Sequence, residues 1–305
     1  MRLGFALPQV GSVGTAESIN KVARRAEELG YSSLWVLDRL LYPLNPRVPY
    51  PIGDGSLPKL YQRVLDPLQT LAFAAARTEK IGIGTSVLNL PWYNPVLLAR
   101  TLTSLDVLSG GRLRVGFGIG WSPDEYEAAG TEWKTRGKRA EEYVSTIKKI
   151  WSSDTVEVQG SDFAVTKSTF GLKPIQKPYP PIYMAAYVPS AMSRVAKEAN
   201  GWFPVGVPLS AVAGMFQAIQ GMAKEAGRDP KSLDLVIRGN VEFKDSIPAE
   251  GRPDFIGNSR QIAADIETAK KLGASELVLD VQFSPGLDTV EEMLKRMEEL
   301  WDLAK

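Results

Sequence analysis

The chain has 305 residues, and 36 Lys plus Arg stand against 35 Asp plus Glu, so a net charge of +1 offers no field to gather nucleic acid or an anionic membrane. It holds no cysteine and no histidine, which excludes disulfides and thiolate metal sites and removes zinc-hydrolase and Ser-His-Asp chemistry with the commonest metal ligand and general base. The opening MRLGFALPQVG is too short an apolar run for a signal peptide and no later run could span a bilayer, so a cytoplasmic protein is expected.

In chain order, strands are expected at 2–7, 32–38, 81–88, 112–118, 181–186, 201–205, 235–243 and 276–281. Amphipathic helical segments fall near 16–29, 67–77, 95–108, 135–151, 190–199, 209–226, 259–272 and 288–304. The first shows the helical period, with Ile19, Val22, Ala23, Ala26 and Leu29 on one face. Two distant stretches repeat one idea: AEELGYSSLWVLD over 26–38 and AKKLGASELVLD over 269–280. Each is a helix end, a glycine suited to a left-handed cap, a short turn and a strand closing on aspartate. A looser third copy spans 196–205. Eight αβ repeats in one chain favour a (β/α)8 barrel, with 1–305 as a single domain. A Rossmann fold is the rival, but PQVGSVGTAES after the first strand is not a tight GxGxxG turn.

Two insertions break the rhythm. Residues 39–65, rich in Pro and Tyr, follow the second strand and so belong to the carboxyl face of a barrel, where they would form a lid or substrate wall. Residues 152–180 precede the fifth strand and contain a hairpin pattern, 156–158 against 163–165.

The most informative stretch is 81–121, IGIGTSVLNLPWYNPVLLARTLTSLDVLSGGRLRVGFGIGW. Asn94-Pro95 opens its helix and Ser109-Gly110-Gly111 closes it. The second strand ends in Gly116-Phe117-Gly118-Ile119-Gly120, a backbone stripped of side chains where something flat is expected to come close. Across four strand ends the residues are small or polar with few ionisable groups, which suits a planar ring system better than a sugar or a metal. Asp38, Asp106 and Asp280 form no obvious ligand cluster; solvated or capping roles are expected of them and no metal site is expected. Lys244 is the one accessible Schiff-base lysine, with a surface role as its default.

Residues 81–121, together with the later KPIQKPYPPIYMAA and the whole αβ rhythm, resemble the luciferase-like monooxygenase superfamily, and within it the coenzyme F420-dependent oxidoreductases. The resemblance implies a deazaflavin cofactor, coenzyme F420, with flavin mononucleotide (FMN) as the alternative, and a homodimer. It places a non-prolyl cis peptide at Ser86-Val87 beneath the ring and Asp38 near the ring's pyrimidine edge. Gly118, Gly120 and Trp121 would flank the ring, and Ala186, Tyr187 and Ser190 would stand in the phosphate region. Two departures matter. Where many relatives carry histidine after the strand-two aspartate, this chain has Arg39, which cannot act as a base but can hold an oxyanion or polarise a carbonyl. Ala186-Tyr187 stands where relatives show a double glycine.

The expected chemistry is hydride transfer between the deazaflavin C5 and a small organic substrate, as reduction of an activated C=C or C=O. Arg39 and Glu125 are the expected catalytic residues, with Glu125 or a tyrosine as proton donor and Tyr42, Tyr50 and Tyr61 of the 39–65 loop lining the substrate. An FMN monooxygenase using reduced flavin and oxygen is the nearest alternative, and a cofactor-binding protein without turnover is the alternative of a different class.

Overall fold

The computed structural model describes the whole chain apart from Ser246 and Ala249. Eight parallel strands close on themselves: β1 (Arg2–Ala6), β2 (Ser33–Val36), β3 (Gly82–Thr85), β4 (Leu113–Gly118), β5 (Ile182–Met184), β6 (Gly201–Trp202), β7 (Asp234–Asn240) and β8 (Glu276–Asp280). Neighbours in sequence are neighbours in the sheet, and β8 pairs with β1 through Arg2↔Glu276 and Phe5↔Leu279. This is the (β/α)8 barrel, with each expected strand in place and shorter by one to three residues at most ends.

Around it run α1 (Ala16–Leu29), α2 (Pro67–Ala75), α3 (Pro95–Leu108), α4 (Pro123–Ala128), α5 (Arg136–Ser152), α6 (Pro189–Glu198), α7 (Leu209–Glu225), α8 (Ser259–Lys271) and α9 (Val290–Leu303). Local signals set their ends. The Asn94 side chain accepts from the Val96 and Leu97 amides ahead of Pro95, and Thr289 with Glu292 closes a reciprocal capping box on α9. Gly30 (φ 99°) and Gly273 (φ 81°) adopt the left-handed conformation expected at both copies of the repeat. The short helix α4 was not expected. Among the described residues, no helix is long and apolar enough to cross a membrane.

Strand period two divides the apolar residues between two cores. Leu34, Val36, Leu235, Ile237, Leu277 and Leu279 face the helices, whereas Trp35, Val236 and Val278 face the barrel axis with Tyr183 and Phe203. The Trp35 indole crosses the interior, and a Cβ built on Gly84 would come within 2.5 Å of it. At the amino ends of the strands a polar plug seals the barrel. Glu276, fully buried, is bonded by Ser33, by Arg114, by Trp35 Nε1 (3.1 Å) and by Arg2 Nε (3.3 Å). The open end is therefore the carboxyl end.

Of the insertions, 39–65 lies after β2 and holds one 3-10 turn, Lys59–Gln62. Its base is tied to the loop after β1 by Gly11 N to Arg63 O (2.9 Å) and Leu65 N to Gln9 O (3.1 Å). The other insertion carries the expected hairpin, Thr155–Gln159 against Ala164–Thr169, registered Val156↔Ser168 and Val158↔Val165. Val156 packs in the core with Ile147 and Trp151 of α5.

Candidate active site

β3 stops at Thr85, the Ser86–Val87 peptide is cis, and the chain rejoins the sheet at Leu88–Asn89 beside Phe117 and Gly118 of β4. This bulge explains the glycines of β4. Gly116 exchanges hydrogen bonds with the Thr85 hydroxyl (2.8 and 2.9 Å), and a Cβ there would lie 2.0 Å from the Thr85 carbonyl oxygen. A Cβ on Gly118 would lie 2.6 Å from Val87 Cγ2. On the side where a Cβ would point, the bare backbone of Gly116 and Gly118 is met by the neighbouring residues Thr85 and Val87. Gly120 (φ 67°) turns the chain toward Trp121 within reach of Asn89 Oδ1.

Asp38, two residues beyond β2, is buried at 8% exposure and accepts from Asn89 N (2.9 Å) and Tyr93 OH (3.0 Å). Burial outweighs those two donors, and the charges of Glu125 and Asp66 add repulsion, so its pKa is pushed up from 3.8 to about 7. The folded state therefore holds this proton more tightly than the unfolded chain does. Stability from this group is fully present below pH 3.8 and is lost as the pH rises through about 7. Replacement by asparagine removes that dependence. Asp38→Asn is expected to gain on the natural protein by up to about 4 kcal/mol between pH 4 and pH 8, at about 1.4 kcal/mol per pKa unit. Urea unfolding at the two pH values measures it, and an unchanged difference means that the folded carboxyl titrates like a free one.

Arg39 does not project freely into the mouth. Its guanidinium is 5% exposed, pairs with Glu125 (2.9 Å), and lies 5.0 Å from the Tyr61 ring centroid and 4.8 Å from that of Trp121. Glu125, 1% exposed, also accepts from the Leu40 (2.8 Å) and Leu41 (3.4 Å) amides. Burial pushes its pKa up while Arg39 and those amides pull it back. Neighbouring acids of α4 hold the same loop: Arg47 pairs with Asp124 (3.3 Å) and with Glu127. Tyr50 packs edge-on against Trp121 (5.4 Å) and Tyr61 (6.0 Å), and its hydroxyl meets that of Tyr61 at 3.2 Å. Tyr42 joins this cluster from the side, its hydroxyl near Leu57 O at 3.5 Å. The structure thus brings together Asp38, Arg39, Glu125, Trp121, Tyr50 and Tyr61.

Ala186, Tyr187 and Ser190 follow the end of β5, with the Tyr187 hydroxyl close enough to Arg238 and Tyr50 to feel their charges. Ala186 is buried under Trp202, whose indole N–H donates to its carbonyl (3.0 Å), and the half-exposed Tyr187 donates to Val205 O (3.1 Å). Ser190 lies in the exposed first turn of α6, which has Pro189 at its start and no side-chain cap. The amides of that turn are open to an anion.

Several expectations for the charged residues change. Asp106 and Asp280 are neither solvated nor simple caps. Both are fully buried, Asp106 accepting from Ile175 N (2.8 Å), Gln176 N (3.2 Å) and Gln176 Nε2 (2.7 Å), and Asp280 pairing with Arg238. Lys244 keeps the surface role expected of it, half-exposed and paired with Glu242 (2.9 Å). Arg238, Tyr93 and Asn89 were not singled out in the sequence. Arg238 could have been, because an arginine inside the apolar run LDLVIRGNV must be paired if that run is a buried strand.

Comparison with known proteins follows the same lines. The family model described as luciferase-like monooxygenase matches residues 1–249. An uncharacterized protein of Mycobacterium tuberculosis is 31% identical over 222 residues, 71% of this chain and 78% of that protein. The F420-dependent glucose-6-phosphate dehydrogenase of Amycolatopsis mediterranei is 30% identical over 203 residues, 64% of this chain and 56% of that enzyme. Among solved structures, the monooxygenase RslO1 from Streptomyces bottropensis superposes with a TM-score of 0.82 at 21% identity, covering 99% of this chain and 98% of that one.

Proposed function

Because this chain is a member of the luciferase-like monooxygenase family, we propose that it is a coenzyme F420-dependent oxidoreductase that reduces an activated C=C or C=O of a small organic substrate. The observation that carries the proposal is the backbone bulge at Ser86–Val87, which fills the bare face of β4 and leaves Val87 partly exposed at the carboxyl end of the barrel. A flat ring fits against it, and the uncapped first turn of α6 beyond β5 suits its phosphate. The choice of F420 over FMN is supported by the F420-dependent relative. When bound, the deazaflavin supplies hydride at C5.

The residues of this chain orient the cofactor, exclude water and hold a proton. Ser86, Val87 and Trp121 would border the ring, with Gly118 and Gly120 shaping the backbone beside it. Tyr187 and Ser190 flank the phosphate, and Ala186 packs behind them. Tyr50 and Tyr61 close the mouth with Trp121, and the 39–65 loop acts as the lid. Arg39 is paired with Glu125 and flanked by two rings, and its Nε is buried and without a partner; it polarises a substrate carbonyl once a shift of the 39–65 loop uncovers that N–H. Glu125 is engaged by Arg39 and two amides, so we assign it to positioning and not to proton donation. Asp38, held by Asn89 N and Tyr93 OH at the end of β2, is the alternative place for the proton, since burial pushes its pKa up to about 7.

The test is a fluorescence titration of the purified protein with F420 and, in parallel, FMN. Sub-micromolar binding of F420 and anaerobic oxidation of reduced F420 by an enone or ketone are the expected results. Tight FMN binding with oxygen uptake would instead establish the monooxygenase alternative. Cofactor binding without turnover across enones, ketones and aldehydes would leave a binding protein.

A further inference from the structure

The bulge after β3 leaves the Ser86 carbonyl oxygen inside the barrel, where a buried acceptor needs a donor. Arg238, on the axis-facing side of β7 and 5% exposed, supplies it: Nη1 donates to Ser86 O (2.7 Å) and to Ser86 Oγ (3.0 Å). The same guanidinium donates through Nε to Asn240 Oδ1 (3.2 Å) and through Nη2 to Asp280. Asp280 is in turn fixed by Gln282 N (2.9 Å), and Gln282 Oε1 accepts from Gln9 N (2.7 Å). Gln9 then bonds Leu37 O (2.8 Å) and Leu65 O (2.6 Å), at the two ends of the 39–65 loop. A continuous polar belt therefore runs inside the mouth from the bulge to the roots of the loop.

We propose that Arg238 is the positioning residue of the cofactor site: its three-way fork sets the shape of the Ser86–Val87 bulge, and through it the affinity for the ring. The inference rests on the cofactor reading above. A buried arginine could serve only as the counter-charge of Asp280, and the two roles differ in what lysine can replace. An ammonium can neutralise Asp280, but it is a single point charge and cannot hold Asn240, Ser86 and Asp280 in one plane.

Arg238→Lys is therefore expected to fold, with a melting temperature within a few degrees of the natural protein, and to bind F420 at least tenfold more weakly in a fluorescence titration. If that variant fails to fold, the double variant Arg238→Gln with Asp280→Asn removes both buried charges and asks the same question, with the same tenfold loss expected. Undiminished binding by either Arg238 variant would overturn the proposal and leave Arg238 as a counter-charge. Failure of the natural protein itself to bind F420 or FMN would instead refute the cofactor reading.

Discussion

Glu125→Leu is expected to lose about 3–5 kcal/mol of stability, the typical cost of leaving one partner of a buried ion pair uncompensated. Arg39 is 5% exposed and Glu125 1%, and the aromatic faces of Tyr61 and Trp121 offer the guanidinium no second anion. Arg39→Met should cost a similar amount, since a lone carboxylate then remains against the Leu40 and Leu41 amides. The double variant, Arg39→Met with Glu125→Leu, should recover most of the loss, because replacing a buried pair by apolar side chains is often neutral. It does not restore the two amide bonds, so the double variant should remain more open to proteolysis within 39–65. Urea unfolding of the four proteins forms a double-mutant cycle; additive losses, with no coupling of at least about 2 kcal/mol, would show that the pair is not formed.

Gly116→Ala is the second large effect. The new Cβ would meet the Thr85 carbonyl oxygen at 2.0 Å, and the obstacle is backbone, which cannot swing aside as a side-chain tip can. A loss of about 3 kcal/mol is expected, at the upper end of what overpacking costs. Because the atom displaced lies at the end of β3, one residue before the bulge, cofactor affinity should fall with it under the proposed function. Gly214→Ala is the matched control: this glycine lies inside α7 with nothing within 4 Å of its would-be Cβ. It should gain about 0.5–1 kcal/mol from better helix propensity. If both variants behave alike in thermal unfolding, the contact between β4 and the bulge is not the reason for glycine.

The barrel was legible because its signals are local and repeated. Leu-Gly before a strand that ends in aspartate recurs at 29–38 and 272–280, and both glycines have the positive φ that motif requires. The hairpin of 152–180 was legible from its alternating valines. What escaped was whatever depends on partners far apart in the chain. Nothing near Glu125 in sequence marks it as half of a buried ion pair, and only folding sets it against Arg39, 86 positions earlier. Arg238 and Ser86 are separated by 152 positions. The glycines of β4 were rightly marked as a close approach, but sequence cannot say that the approaching group is another strand. Helix α4 was the avoidable omission. Ser122-Pro123-Asp124-Glu125 is a helix start with proline in its first turn and acids near the positive end of the dipole.

The loop of 39–65 has both roots fixed. Its first residues are held by Glu125, Arg47 further along is held by Asp124 and Glu127, and its end is bonded to Gln9 and Gly11. Between Pro49 and Pro58 the chain returns to itself, with Tyr50 N bonded to Gly55 O (2.9 Å). A segment closed in this way can be lengthened, shortened or exchanged at its tip for little additional loop-closure entropy. Under the proposed function, residues 49–58 are therefore a module: they can be regrafted to test substrate recognition while the barrel and the bonded roots of the loop stay as they are.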